Sequence, residues 1–97
     1  MDNSIYEFLK ELKFDDGEIE TLLSVAPVLE EISAEHAIQN MSLVVEAGFP
    51  ADDIGFLVSQ NPNFLCRNSK DLAEDLINLA KQFEDVEDAL KNDPNLI

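Results

Sequence analysis

The stretch GFPADDIGFLVSQNPNFL, from Gly48 to Leu65, has two echoes in the same chain. One is KFDDGEIETLLSVAPVL at 13–29, and the other is DVEDALKNDPNLI at 85–97. In all three copies the apolar residues recur every three or four positions, which is typical of α-helices and not of strands. The three copies therefore predict a helical protein built from a recurring unit.

The register of the copies is set by proline and phenylalanine. An offset of 35 residues places Pro27 under Pro62 and Phe14 under Phe49, and an offset of 32 places Pro62 under Pro94. Proline has no backbone N–H and disfavours helix before it, so each proline predicts the end of a short helix. Each phenylalanine is expected to fill the corner where one unit enters the next. These five residues are the predicted structural marks of the repeat.

The offsets divide the chain into one domain, 1–97, with two and a half helix–turn–helix repeats. The predicted segments are an N-terminal helix at 1–13, a first repeat at 14–48, a second at 49–83 and a half repeat at 84–97. The fold class is all-α, with about six helices. Because one unit cannot bury its own apolar face, the units are expected to stack on one another.

The apolar stripes also predict the core. The strongest helix is expected to begin at Asn68 or Ser69 and to bury a face made of Leu72, Ala73, Leu76, Leu79, Ala80 and Phe83. The residues expected to be largely buried where the two units meet are Phe49, Ile54, Leu57, Leu72, Leu76 and Leu79.

The second copy resembles the repeat of the mTERF family, the mitochondrial transcription termination factors. The positions closest to that pattern are Phe49, Ile54, Leu57, Pro62 and Leu65. The resemblance extends over 14–97 and implies repeats of two α-helices and a 3₁₀ turn, stacked into a curved solenoid. It also implies nucleic-acid binding along a basic concave groove. Tetratricopeptide arrays repeat at a similar length, but their Trp, Gly and Tyr marks are absent from the sequence.

The charge of the chain favours a different partner. Its 97 residues include 21 acidic and 6 basic residues, for a net charge of −15. Nucleic-acid binding draws most of its affinity from Lys and Arg on phosphates, and anionic membranes also attract cations. The sequence thus predicts a non-enzymatic interaction module for a protein with a basic surface, with nucleic acid and membrane disfavoured. The alternatives are nucleic-acid binding of mTERF type and an acidic mimic of nucleic acid.

No catalytic, cofactor or metal site is predicted. His36 is interpreted as a surface or capping residue, and Cys66 as a half-buried structural cysteine. One acidic run could attract a cation, but it lacks the spacing and central glycine of an EF-hand loop. It comprises Glu84, Asp85, Glu87 and Asp88.

Cellular context follows from what the sequence carries. A single cysteine allows no intramolecular disulfide, and no apolar run is long enough to cross a membrane. The acidic N-terminal stretch does not resemble a signal or transit peptide. We therefore expect a cytoplasmic protein, with the open C-terminal half repeat as a surface for self-association.

Overall fold

Helices account for most of the computed structural model, which describes residues 4–97. Six α-helices are present: α1 (Ser4–Glu11), α2 (Asp16–Val25), α3 (Ala34–Glu46), α4 (Ile54–Gln60), α5 (Ser69–Gln82) and α6 (Val86–Asn92). Four 3₁₀ helices connect them: η1 (Pro27–Glu31), η2 (Ala51–Asp53), η3 (Pro62–Cys66) and η4 (Pro94–Leu96). Between residues 4 and 97 there is no strand. The predictions of an all-α fold and of six helices are confirmed.

Three of the turns share one backbone geometry. The residue before the proline has φ −130° and ψ 73° at Ala26, −148° and 73° at Asn61, and −145° and 87° at Asp93. Each donates its N–H to the carbonyl four residues earlier and so ends the α-helix. The following proline then begins a 3₁₀ helix, because it cannot continue the α-helical ladder. Pro27, Pro62 and Pro94 therefore each follow a short helix, as the sequence predicts.

Two further turns, at the ends of α1 and α3, share one backbone geometry with each other. Lys13 and Gly48 have positive φ angles, 79° and 121°. Each donates its N–H to the carbonyl three residues earlier, and the phenylalanine after it, Phe14 or Phe49, donates to the carbonyl five earlier. This is the Schellman arrangement, which closes a helix through a left-handed residue and turns the chain sharply. The two turns lie 35 residues apart.

Side-chain caps start the helices that follow. The Ser33 hydroxyl accepts from the backbone at the start of α3, and the Asn68 side chain does so 35 residues later at α5. At α2, Asp15 and Glu18 form a reciprocal capping box. Such caps satisfy N–H groups that have no partner within the helix.

Contacts between helices link successive parts of the chain. α1 contacts α3, and α3 contacts α5, while η1 contacts η3 and η4 contacts α4. Asn61 Nδ2 donates to the backbone oxygen of Pro94 at 2.9 Å and fastens the last turn to the preceding unit. The predicted core residues are all buried: Phe49, Ile54, Leu57, Leu72, Leu76 and Leu79.

The predicted buried face of α5 is wrong at its C-terminal end. α5 ends at Gln82, and Phe83 follows it in an extended conformation with 40% of its surface exposed. Ala80 is exposed as well. The cause is the exit of α5, which lacks the left-handed residue that ends α1 and α3. Without that turn, Phe83 continues in an extended conformation at the surface.

Candidate functional site

The five predicted marks lie at turns but differ in burial. Phe49 is buried at 1% exposure, whereas Phe14 is only half-buried and borders a surface groove. Pro62 is buried, Pro94 is half-buried and Pro27 is exposed. The structure thus buries Phe49 and Pro62 of the second copy more fully than Phe14 and Pro27 of the first.

His36 and Cys66 have structural surroundings. His36 Nε2 lies 2.8 Å from the backbone oxygen of Arg67, so the tautomer protonated at Nε2 donates to it. Cys66 is half-buried, and burial raises the pKa of its thiol. Because the thiolate is the nucleophilic form of cysteine, this environment holds Cys66 in its less reactive state.

The acidic run at the start of α6 is used for helix capping and pairing. Asp85 accepts from the Asp88 N–H at 3.2 Å, and Glu87 accepts from Lys91 at 2.8 Å. Lys91 also donates to Asp53 at 2.9 Å, and both hydrogen bonds raise the pKa of Lys91. Within residues 4–97, no group of three His, Cys, Asp or Glu side chains is arranged to hold a metal ion.

A buried polar side chain, Asn40, fastens η3 to α3. Its Nδ2 donates to the backbone oxygens of Phe64, Leu65 and Arg67 at 3.0, 3.1 and 2.9 Å. Its Oδ1 accepts from Ser69 Oγ at 2.7 Å. Sequence reasoning missed this role, although a polar residue within the apolar stripe of α3 was the available signal. A buried amide destabilises the folded state unless its hydrogen bonds are satisfied, as they are here.

A second polar connection follows at the next turn. Arg67 Nη1 donates to the backbone oxygen of Ile97 at 2.8 Å, and its Nη2 donates to Asp75 at 2.6 Å. Asp75 lies 35 residues after Asn40, and Ile97 lies 32 residues after Leu65. A side chain of α3 therefore holds the end of η3, directly from Asn40, and a side chain of α5 connects to the residue after η4, from Asp75 through Arg67.

Salt bridges engage half of the cations. Lys10 pairs with Asp16 at 3.0 Å, Arg67 with Asp75, and Lys91 with two carboxylates. Asp16 also accepts from the hydroxyl of Tyr6 at 2.6 Å. Only four carboxylates take part in the salt bridges of the described residues, out of 21 in the chain. Most of the negative charge is thus available at the surface.

Two depressions each include a residue of α4 in their lining, and we call them together the α4 groove. One, of about 160 Å³, lies between the end of α1 and η2, and the other, of about 210 Å³, lies between α2 and α4. Gly55 lines the first and Ser59, one helical turn later, lines the second. The consecutive residues Lys13 and Phe14 line the first and the second, respectively. The other lining residues are Glu11, Leu12, Glu18, Thr21, Leu22, Ala51 and Asp52.

A separate groove of about 260 Å³ lies between α3 and α5. Its floor includes Leu76, and Ile77 on its edge is 56% exposed. The charges around it are mixed, since Glu46 lines it while Lys81 lies one helical turn after Ile77. The remaining lining residues are Leu43, Ala47, Ala73 and Ala80.

Comparisons with protein-family models, with curated proteins and with solved structures found no match for this chain. Within the described residues, none of the helices combines the length and the apolar character that a membrane span requires.

Proposed function

We propose that this chain is a non-enzymatic interaction module that binds a protein with a basic surface. The observation that carries the proposal is the imbalance of surface charge, since salt bridges engage only a few of the carboxylates. Complementary potentials speed encounter between partners and select against partners of the same sign. A net charge of −15 therefore favours cationic partners and repels nucleic acids and anionic membranes.

The proposal includes the arrangement in repeats of mTERF type. Its support is the recurrence of turn geometry at the offsets of the sequence copies: the left-handed turns at Lys13 and Gly48, the caps at Ser33 and Asn68, and the proline turns. Helical repeats present extended surfaces to partners. The same repeats with a basic groove would suit nucleic acid, so the negative net charge supports the first of the two functions.

The test is a titration with soluble probes of opposite charge. Fluorescence anisotropy would follow a labelled peptide of alternating arginine and leucine, its glutamate–leucine counterpart and a short DNA duplex. We expect binding of the arginine peptide alone, with an affinity that weakens as salt rises to about 150 mM. No binding of the cationic peptide at low salt would contradict the proposal. Binding of the duplex at about 150 mM salt would instead favour nucleic-acid binding.

The salt dependence of the melting temperature tests the effect of the surface charge without a ligand. Since the unpaired carboxylates repel one another, the melting temperature of the free protein should rise as salt screens that repulsion. The triple variant Glu35→Gln/Glu46→Gln/Glu74→Gln should melt higher at low salt and depend less on salt. A melting temperature that is flat in salt for both proteins would mean that the carboxylates are too dispersed to shape binding.

A further inference from the structure

We infer that the α4 groove is the docking site for the basic segment of the partner, and that the segment carries arginine next to apolar side chains. This inference rests on the proposed function and adds the site and the chemistry of the ligand. It is drawn from three features that coincide in one groove: an apolar floor, an excess of carboxylates and an accessible aromatic ring.

The floor of the α4 groove depends on a close approach of backbone. A Cβ atom added at Gly55 would lie 3.3 Å from the backbone oxygen of Leu12, so α4 lies almost directly against the end of α1. Leu12 and Phe14 are half-buried beside this contact, and Leu22 is buried. The groove therefore offers apolar surface that an aliphatic side chain can cover.

The walls of the same groove are acidic. Glu11, Glu18 and Asp52 line it and are exposed, and Lys13 is the one cation in its lining. The Oε1 of Glu18 accepts from the Asp15 N–H at 3.0 Å, so this carboxylate is held in place at the groove. Three carboxylates against one ammonium make the groove complementary to a cationic segment.

Arginine suits this site better than lysine. Its planar guanidinium pairs with carboxylates through two parallel hydrogen bonds and stacks on aromatic faces. The half-buried Phe14 lines the same depression as Glu18. A guanidinium there can contact the ring and a carboxylate together, whereas an ammonium is a compact charge with strong hydration.

Two other occupants fit less well. A second copy of this chain would bring another net charge of −15 to an acidic groove. The groove between α3 and α5 is more apolar, and Glu46 is the one charged residue in its lining. It therefore serves as the control surface for a cationic ligand.

The experiment compares two triple variants of equal charge change. Glu11→Gln/Glu18→Gln/Asp52→Asn removes the three carboxylates of the α4 groove, and glutamine at 18 can still complete the capping box. Glu35→Gln/Glu46→Gln/Glu74→Gln neutralises α3 and α5. For the arginine–leucine peptide we expect the first variant to bind about tenfold more weakly and the second less than about threefold. Circular dichroism melts would verify that both variants fold.

Two single changes probe the details. Lys13→Gln removes the groove cation and should strengthen binding of the cationic peptide by about twofold or more. Phe14→Leu keeps an apolar side chain but removes the ring, and should weaken the arginine peptide more than a lysine–leucine peptide. Equal affinity for the arginine and lysine peptides would overturn the assignment of arginine.

The outcomes separate this inference from the proposed function. If the wild-type protein binds no cationic peptide, both fail. If it binds but the two triple variants weaken binding equally, or only the α3–α5 variant does, the docking site is overturned while the proposed function stands. Light scattering of the free protein at low and high salt tests the second copy, and a dimer abolished by the α4-groove substitutions would assign the groove to self-association.

Discussion

The side-chain amide of Asn40 donates to the backbone oxygen of Leu65, 25 residues further along the chain, at 3.1 Å. Asn40 is fully buried on α3, and the same amide also reaches Phe64 and Arg67. The two N–H bonds of this amide are thus shared among three carbonyls at the end of η3. Asn40 is the buried polar side chain that connects α3 to this turn.

Removing this amide should destabilise the protein. Asn40→Ala removes the side-chain donor to the Leu65 carbonyl, whereas the Phe64 and Arg67 carbonyls keep the Arg67 N–H and His36 as donors. The free energy of unfolding should fall by about 1–3 kcal/mol. Asn40→Asp keeps the shape but points a carboxylate at three carbonyl oxygens, so it should cost more. Urea denaturation measures both. Asn78→Ala, on an exposed position of α5, is the control and should change stability by less than about 0.5 kcal/mol.

This asparagine also marks the limit of what the sequence could predict. The helical period and the prolines predicted six helices and their turns, because those signals are local. The partners of Asn40 are distant in sequence, and its position only interrupts an apolar stripe. Phe83 was wrongly predicted to be buried because the apolar periodicity of the sequence continues past Gln82, whereas the helical backbone ends there. The α4 groove had no sequence signal, since it forms only when α1, α2 and α4 meet.

Two neighbouring residues of α5 test the packing of the core. Leu76 is 3% exposed and Ile77 is 56% exposed. Leu76→Ala should lower the free energy of unfolding by about 2–5 kcal/mol, since it removes buried methyl groups and leaves a cavity. Ile77→Ala should cost less than about 0.5 kcal/mol, as for other surface substitutions. Similar denaturation midpoints for the two variants would contradict the assigned orientation of α5.

The hydrogen bond from Tyr6 to Asp16 joins α1 to α2 and should be visible by titration. It raises the pKa of Tyr6 to about 12, from an ordinary value of 10.0, with Asp16 as the main cause. The chain has one tyrosine and no tryptophan, so phenolate absorbance reports Tyr6 alone. Asp16→Ala should return the midpoint toward 10.0, whereas Glu20→Gln, which removes only a weaker charge effect, should lower it slightly.

The same pair sets the pH limits of its own contribution to stability. A raised pKa of Tyr6 in the folded state favours folding below the ordinary value, and this contribution is lost as pH rises toward 12. The pKa of Asp16 is lowered, first by the Tyr6 hydrogen bond and then by Lys10. Its contribution is present above its ordinary value of 3.8 and is lost as pH falls below it. Thermal melts of wild type and Asp16→Ala should therefore converge at both extremes.

The left-handed turns at Lys13 and Gly48 predict substitutions of opposite effect. A positive φ of 79° is unfavourable for lysine, so Lys13→Gly should stabilise the protein by about 0.5–1 kcal/mol. This figure already subtracts the cost of the extra conformational freedom that glycine gives the unfolded chain. Gly48 has φ 121°, which side chains rarely adopt, and Gly48→Ala should cost about 1–3 kcal/mol. A Cβ there would lie 4.0 Å from the Cβ of Val86, so this cost is conformational and not steric.

Gly17 supplies the matched control for that pair. It lies in the first turn of α2, where an added Cβ would make an ordinary 3.5 Å contact with Asp15 Oδ1. Gly17→Ala should therefore raise the free energy of unfolding by up to about 1 kcal/mol through helix propensity alone. Urea denaturation of the three variants gives the order Gly17→Ala and Lys13→Gly above wild type, and Gly48→Ala below it. If Gly48→Ala were as stable as wild type, the Schellman turn that directs α3 into η2 and α4 would be wrong.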